Sequence, residues 1–496
     1  MTSSRSRALL TKSLFTAGTQ CPKLMWLRKH EPAAPELTVD ADLQSRFDLG
    51  HRVGELARTY VPGGVLIDRQ AADFQRSIDQ TQSALYDQSK AIYEAVLKVG
   101  DLYCAIDILE RTGSGWNLIE VKSSMSVKDA HFPDVAIQTY IARQAGLKVD
   151  RVEVMVLSRE CVFPDLTKLF ARVDVTDRVN LMLATIGDDA VRLLSILNTP
   201  IVPDVSPGDQ CSAPYKCPFY DRCNPALPKH HVSSLYKVHP KVLDQLLSSG
   251  VQLIADIPDD VKLRPDQARQ RAAVKSGHIV VEGPLKRELD KLKSPVGFLD
   301  FETAMPAIPV LEGCGPYSQC VAQFSFHLED GKGGHSHHEW IATGKGDPRR
   351  PLAEALVKAC KGAKTILSYF APFESKVIAK LAKQFPDLRD DLNAINERIV
   401  DLLPLVRNHV YHPEFYGSFS IKKVLPALCP ELSYEGMAVG EGQTAARLLE
   451  VIMTAPDLMK DEERAAVVRD LKAYCKLDTW AMVALLKRLK DLSVRP

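Results

Sequence analysis

A chain of 496 residues with a formal net charge of +1 is too long for one ordinary domain and predicts roughly three. So small a charge exerts no global attraction on polyanions, so any nucleic-acid surface must be a local patch. With 45% hydrophobic and 25% charged residues, the composition is that of a globular protein, and no window approaches the ~18 uninterrupted apolar residues of a membrane span. The start, Met1-Thr-Ser-Ser-Arg-Ser-Arg-Ala-Leu-Leu, is basic but carries neither a long apolar core nor a cleavage site, so no signal peptide is read and a cytoplasmic location is expected. Eleven cysteines without an export signal imply reduced thiols, and clustered ones then point to metal ligation rather than disulfides.

Residues 1–100 read as mainly helical. Thr11-Lys-Ser-Leu-Phe15 opens a helix that carries Cys21-Pro-Lys-Leu-Met-Trp-Leu27, and residues 41–60, with Phe47, Leu49, Val53, Leu56 and Ala57, form a second amphipathic helix. Pro62-Gly-Gly64 breaks it, and Asp73–Leu97 reads as one or two further helices. Two apolar runs follow, Leu102–Leu109 and Trp116–Ser124, joined by Glu110-Arg-Thr-Gly-Ser-Gly115. That turn composition predicts a β-hairpin. Glu120 and Lys122 lie two apart, hence on one face of a strand, and the hairpin brings Asp107 beside them. Their apolar neighbours argue against a solvated surface. Two carboxylates and a lysine at one spot suit metal-dependent phosphodiester hydrolysis: the carboxylates hold a hard divalent cation, Mg²⁺ or Mn²⁺, and the lysine assists the attacking water. A helix over 134–146 ended by glycine, a strand at Val152–Leu157 and a helix over Asp177–Leu197 complete an α/β core.

The loop 199–210 delivers Cys211, Cys217 and Cys223, three cysteines at six-residue intervals among charged and proline neighbours. That setting favours metal or cluster ligation over a buried apolar segment, and Cys21 is the best fourth ligand. Cys104 and Cys161 read as core residues. Residues 229–292 read as a helical linker. Within it, two short helices around Ser249-Gly250 offer a helix-hairpin-helix as the alternative. From Pro295 a new apolar strand places Asp300 and Glu302 on one face. Two strands over 315–339, a helix over 350–360, a strand entering a helix at Thr365–Glu374 and a helix headed by Asp401 follow. Tyr474 and Asp478, four apart, share one face of a long C-terminal helix. Acidic residues on strand and helix ends across roughly 180 residues suit a pair of metal ions sharing carboxylates.

The N-terminal half resembles the RecB-like branch of the PD-(D/E)XK nucleases, especially its iron–sulfur members. The matching residues are Asp107, Glu-Val-Lys at 120–122, and the downstream helix with Gln138 and Tyr140, framed by Cys21 and by Cys211, Cys217 and Cys223. The resemblance implies a restriction-endonuclease-like fold over residues 1–228, whose four thiolates hold a 4Fe-4S cluster, with zinc the alternative that thiolates equally permit. The family's first motif carries a metal-binding histidine where Gly54 stands here, with His51 and Glu55 nearby, and its Gln-x-x-x-Tyr becomes Gln-x-Tyr. Residues 293–496 resemble a DEDD-type 3′–5′ exonuclease of the RNase H-like fold. Asp300 and Glu302 match its first motif, Asp478 its last, and Tyr474 the tyrosine of the DEDDy subtype. Phe370-Ala-Pro-Phe-Glu374 stands at the middle motif, with Glu374 in the usual Asp position and Asp401 as the alternative. By resemblance Asp300, Glu302 and Asp478 ligate metal and Tyr474 positions the attacking water. The two halves in this order are similar to a bacterial family described as predicted RecB-family nucleases. What this implies is a metal-dependent nuclease acting on DNA, single-stranded or at ends, with RNA processing or an inactive nucleic-acid-binding subunit as the alternatives.

Overall fold

The structure is a computed structural model that describes residues 8–69, 74–87 and 89–494. The first residues of the basic start and the opening of the Asp73–Leu97 expectation lie outside the described residues. The chain divides into two compact units, Met1–Ala226 with Ala307–Ser318, and Leu227–Pro306 with Gln319–Pro496. Both are mixed α/β. No helix among the described residues is long and apolar enough to cross a membrane.

The first unit begins with β1 (Leu10–Thr11) and α1 (Lys12–Gln20), whose N-cap Thr11 accepts a hydrogen bond from the Leu14 N–H. The expected single helix through Cys21 is split there. Cys21 takes extended dihedrals and Pro22 opens α2 (Pro22–His30), because a residue before proline is driven out of the α region. There follow α3 (Ala41–Thr59), β2 (Gly64–Leu66), α4 (Phe74–Tyr86), β3 (Ala91–Val99), β4 (Leu102–Arg111), β5 (Trp116–Lys122), α5 (Phe132–Gln144), β6 (Val149–Leu157), β7 (Phe170–Asp174), α6 (Thr176–Asn198) and the one-turn α7 (Tyr220–Cys223). The helical expectation for 73–97 holds for α4 and fails for β3. Ala91, Ile92, Ala95 and Val96 are buried, and sheet packing on both faces overrides a helix-compatible composition.

The strands run in the order β2-β3-β4-β5-β6-β7, with β1 paired to β4. β3, β4 and β5 are antiparallel neighbours and β5 pairs with β6 in parallel. Leu118 and Val154 pack with Val135 and Ile141 of α5, whereas Ile119 and Met155 pack with Ala57 of α3. Glu120 and Lys122 share parity with Leu118 and so face α5. The segment 307–318 closes this unit. Phe163 N–H donates to Cys314 O at 2.9 Å, Gly313 N–H donates to Phe163 O at 3.0 Å, and Tyr317 OH donates to Ser123 O at 2.7 Å.

The second unit starts with α8 (Pro240–Ser248), α9 (Pro265–Ser276), β8 (Val280–Val281) and α10 (Leu285–Leu289). Residues 229–292, read as a linker, thus belong to this unit. After Gly250 the partner of α8 is only a 3₁₀ turn, Ile254–Asp256, so no pair of helices brackets Ser249-Gly250. Then come β9 (Val296–Ala304), β10 (Cys320–Glu329), β11 (His335–Ile341), α11 (Arg349–Ala359), β12 (Thr365–Ser368), α12 (Pro372–Gln384), α13 (Arg389–Asn396), β13 (Ile399–Asp401), α14 (Leu402–His409), β14 (Val410–Tyr411), α15 (Ile421–Leu428), α16 (Gly442–Thr454) and α17 (Asp461–Ser493). The sheet order is β11-β10-β9-β12-β13, with β9 antiparallel to β10 and parallel to β12. β9 is central and covered on both faces. Leu299 and Phe301 pack with Leu356 of α11 and Ile378 of α12, and Phe298 packs with Met482 and Leu485 of α17. Asp300 and Glu302 share parity with Phe298 and meet α17.

Candidate functional site

In the first unit the hairpin brings Asp107, Glu120 and Lys122 together, with Gln138 reaching them from α5. Lys122 Nζ donates to Glu120 Oε1 at 2.6 Å and to Asp134 Oδ2 at 2.5 Å. Gln138 Nε2 donates to Glu120 Oε2 at 2.8 Å, and Asp107 Oδ2 accepts the Val121 N–H at 2.7 Å. Two members had not been read from sequence. Lys12 Nζ donates to both Glu120 oxygens, at 3.1 and 3.3 Å, and approaches Asp134 Oδ1 at 3.5 Å. Asp134 carried a usable signal, because it precedes Gln138 by four on one face of α5. Lys12 lies 108 residues from Glu120 and carried none.

Burial alone would lift the Glu120 carboxyl, but the charges of Lys12 and Lys122 outweigh it and hold the group well below the ordinary range. Burial likewise opposes charge on both lysines, yet the carboxylates keep them protonated. Asp107 is pushed up to about 7, first by burial and then by the Glu120 charge. Tyr140 does not join the cluster. Two helical residues turn it about 200° from Gln138, and its hydroxyl packs against Gly187 of α6, 3.1 Å from where a Cβ there would stand. His51 and Glu55 are exposed on α3. His51 lines an open cavity of about 510 Å³ with Arg58, Arg69 and Glu94.

Cys21, Cys211, Cys217 and Cys223 converge on one small cavity of the same unit. Gln20, the last residue of α1, holds the cysteine loop by donating to Gln210 O at 2.8 Å and Tyr215 O at 2.7 Å. The Cys217 thiol is raised, first by burial, with Cys21, Cys223 and Cys211 adding to it. Cys104 and Cys161 sit in apolar clusters.

The second unit gathers Asp300 and Glu302 from β9 with Asp478 from α17, one carboxylate oxygen of each lying within 4.8 Å of the others. Burial raises Asp300 well above the carboxylate range, and the charges of Asp478, Glu302 and Glu374 add to it. For the same two kinds of cause Glu302 is pushed up to about 8, with Lys422 opposing. Asp478 is pushed up by burial to about 6, restrained by hydrogen bonds from Tyr434 and Tyr474 and by the charge of Lys422. Tyr434 OH donates to Asp478 Oδ1 at 2.6 Å. Lys422 Nζ lies 5.7 and 5.5 Å from the ring centres of Tyr434 and Tyr474 and donates to Gly440 O at 2.7 Å.

Glu374, at the start of α12, is 2% exposed and its Oε2 has no hydrogen-bond partner. Asp401 instead caps α14, its Oδ1 accepting the N–H groups of Leu403 and Phe370 at 3.0 Å each. Of the two residues considered for the fourth carboxylate, Glu374 therefore borders the cluster with a free oxygen. Cys475, with its Sγ 3.5 Å from Asp300 Oδ2, Tyr434 and Lys422 had no assigned role in the sequence reading. Tyr434 and Lys422 sit in loops and a short helix whose approach to β9 no local periodicity announces.

Residues 297–420 match the family described as Domain of unknown function (DUF2779), a span that includes Asp300, Glu302, Glu374 and Asp401 and stops short of Tyr474 and Asp478. The chain is similar to "Uncharacterized protein MG366 homolog" of Mycoplasma pneumoniae, 25% identical over an alignment of 232 residues that covers 43% of this chain and 35% of that protein. It is also similar to "Uncharacterized protein UU173" of Ureaplasma parvum, 27% identical over 230 residues, 41% of this chain and 32% of that protein. The chain thus spans about a third of the length of the curated relatives it matches.

Proposed function

We propose that the protein is a metal-dependent nuclease whose hydrolytic centre is the acidic site of the second unit. The observation that carries this is the convergence of Asp300, Glu302 and Asp478 within 4.8 Å. Burial and mutual repulsion hold Asp300 well above the carboxylate range and Glu302 at about 8, a crowding that a divalent cation relieves. The free buried oxygen of Glu374 adds a donor of the same hard chemistry. The residues fit a Mg²⁺ or Mn²⁺ site, with Asp300, Glu302 and Asp478 as the holders and Glu374 beside them. Such a cation, when bound, polarises a phosphoryl oxygen and lowers the pKa of a bound water.

The chain's own side chains supply the rest. Tyr434 and Tyr474 orient Asp478 through hydrogen bonds and favour its ionised form. Lys422 adds positive charge that lowers Glu302 and Asp478 and offsets an incoming phosphate. Phe370, 55% exposed and four residues before Glu374, offers a face on which a base can stack. The strand order β11-β10-β9-β12-β13, three antiparallel strands followed by two parallel ones, supports an RNase H-like reading of this unit. In the first unit the succession β3, β4, β5, α5 and parallel β6 supports a restriction-endonuclease-like one. The cysteine quartet, four thiols crowded on one cavity, suits a 4Fe-4S cluster or zinc that ties α1 to the 211–223 loop.

The test is cleavage of end-labelled single-stranded DNA and a matched RNA in Mg²⁺ or Mn²⁺, with chelator controls. Cation-dependent shortening that Asp300→Asn and Asp478→Asn each abolish supports the proposal, and the two substrates decide between DNA and RNA. Cleavage by the wild-type chain that survives both substitutions sinks it.

A further inference from the structure

The first unit disagrees with the family it resembles at the point where a metal ion belongs. A carboxylate offers about four lone-pair positions on its two oxygens. Those of Glu120 are taken: Oε1 accepts from Lys122 at 2.6 Å and Lys12 at 3.1 Å, and Oε2 accepts from Gln138 at 2.8 Å and Lys12 at 3.3 Å. The second oxygen-bearing partner, Asp134, is held by Lys122 at 2.5 Å and neighbours Lys12 at 3.5 Å. Asp107 gives one oxygen to the Val121 N–H. A divalent ion on Glu120 needs a site ~2 Å from one of those oxygens, inside the coordination that two ammonium groups already occupy. The residues as arranged do not fit Mg²⁺ or Mn²⁺.

We propose that Lys12 is the resident cation of this site, a tethered ammonium that takes the place on Glu120 which a divalent ion would need, so that the first unit binds no catalytic metal as folded. Lys12 is fixed there by its backbone rather than drawn in by chance. It is the first residue of α1, directly after the N-cap Thr11. The two residues before it form β1, which pairs in parallel with Leu102 and Tyr103 of β4, the strand that carries Asp107. Its side chain is 26% exposed, whereas that of Glu120 is 2% exposed, so the lysine closes the carboxylate off from solvent. An ammonium on a four-carbon stem is a compact point charge suited to this role. The expectation of Mg²⁺ or Mn²⁺ on Asp107 and Glu120 is thereby replaced for this unit by an ion-paired centre.

The test uses the full chain carrying Asp300→Asn, Glu302→Gln and Asp478→Asn, so that the second unit contributes no cation site. Mn²⁺ is titrated and its free form read by electron paramagnetic resonance. Manganese, a hard ion, discriminates against the cysteine quartet. With Lys12 present, Mn²⁺ binding should be the same whether or not Glu120→Gln is added. Lys12→Met should create one site per chain at least tenfold tighter than any background, and Glu120→Gln on top should remove it. A stoichiometric Mn²⁺ in the Lys12-bearing chain that Glu120→Gln abolishes would overturn the proposal, as would a folded Lys12→Met variant that gains nothing. Should Lys12→Met fail to fold by circular dichroism, the Lys12-bearing pair decides alone. Neither readout involves hydrolysis, so the outcome is separate from that of the function assigned to the second unit.

Discussion

Replacing Glu302 by glutamine should stabilise the cation-free protein, although Glu302 stands in the proposed hydrolytic centre. Its carboxyl is raised from 4.5 to about 8 in the folded chain. A carboxyl raised on folding keeps its proton where the unfolded chain has released it. Its contribution is therefore most favourable below about pH 4.5 and is lost as pH rises towards 8. At ~1.4 kcal/mol per pH unit, that window sets a ceiling of about 5 kcal/mol. Two unit charges separated by the 4.8 Å limit of the acidic cluster repel by roughly 3.5 kcal/mol at an effective dielectric of 20. Glu302 is only half-buried, and screening trims the gain to about 1–3 kcal/mol, or a melting shift of several degrees for a unit of this size. Thermal unfolding followed by circular dichroism in chelator at pH 5, 6.5 and 8 checks it. Glu302→Gln should melt above the parent at pH 8, with the gap closing at pH 5. A variant that melts lower at pH 8, or whose gap is the same at both ends, refutes burial and charge crowding as the source of the raised carboxyl.

The same crowding predicts that Mg²⁺ or Mn²⁺ raises the melting temperature of the parent more at pH 8 than at pH 5.5, because protons compete for the carboxylates; differential scanning calorimetry reads the difference. Tyr434→Phe removes a hydrogen bond to the ionised form of Asp478, worth ~1.5–3 kcal/mol for a charged acceptor, so the acidic limb of the pH–rate profile of hydrolysis should move up by roughly one unit. With the proposed cluster or zinc on the cysteine quartet, Cys217→Ser should lose that metal, measured by elemental analysis and absorbance, and lower the melting temperature of the purified chain. At Gly417, φ is +76° and an added Cβ would stand 1.8 Å from Ser234 O, so Gly417→Ala meets strained backbone and an immovable carbonyl together and should cost more than ~2 kcal/mol in denaturant unfolding.

What the sequence disclosed follows the range over which its signals act. Glu120 and Lys122, two apart in an apolar run, could only share a strand face, and the turn at 110–115 put Asp107 beside them. Asp300 with Glu302, and Tyr474 with Asp478, were legible by the same periodicities of two and four. Lys12 was not, because its partner is more than a hundred residues away and a lysine opening a helix is unremarkable locally. Tyr434, 44 residues from Asp478, and Lys422 were hidden because no local periodicity aims a loop or a short helix at those carboxylates. Tyr140 shows the opposite failure, since the family spacing was carried over without the helical rotation that separates positions 138 and 140. β3 was misread because Ala91–Tyr93 and Ala95–Leu97, on either side of Glu94, are apolar on successive residues, a pattern that a doubly covered strand and a buried helix share.

The run 307–318 makes the boundary between the two units something other than a point along the chain. It leaves the strand that carries Asp300 and Glu302, packs Ala307 with Val53, Leu157, Cys161 and Leu169, and anchors at Ser123, the residue after Lys122. A fragment ending at Ala226 would lack that patch of wall and expose apolar side chains. The matched stretch 297–420 likewise contains a piece that folds with the first unit. A single cut between residues 226 and 306 therefore leaves residues 307–318 apart from the unit they pack with.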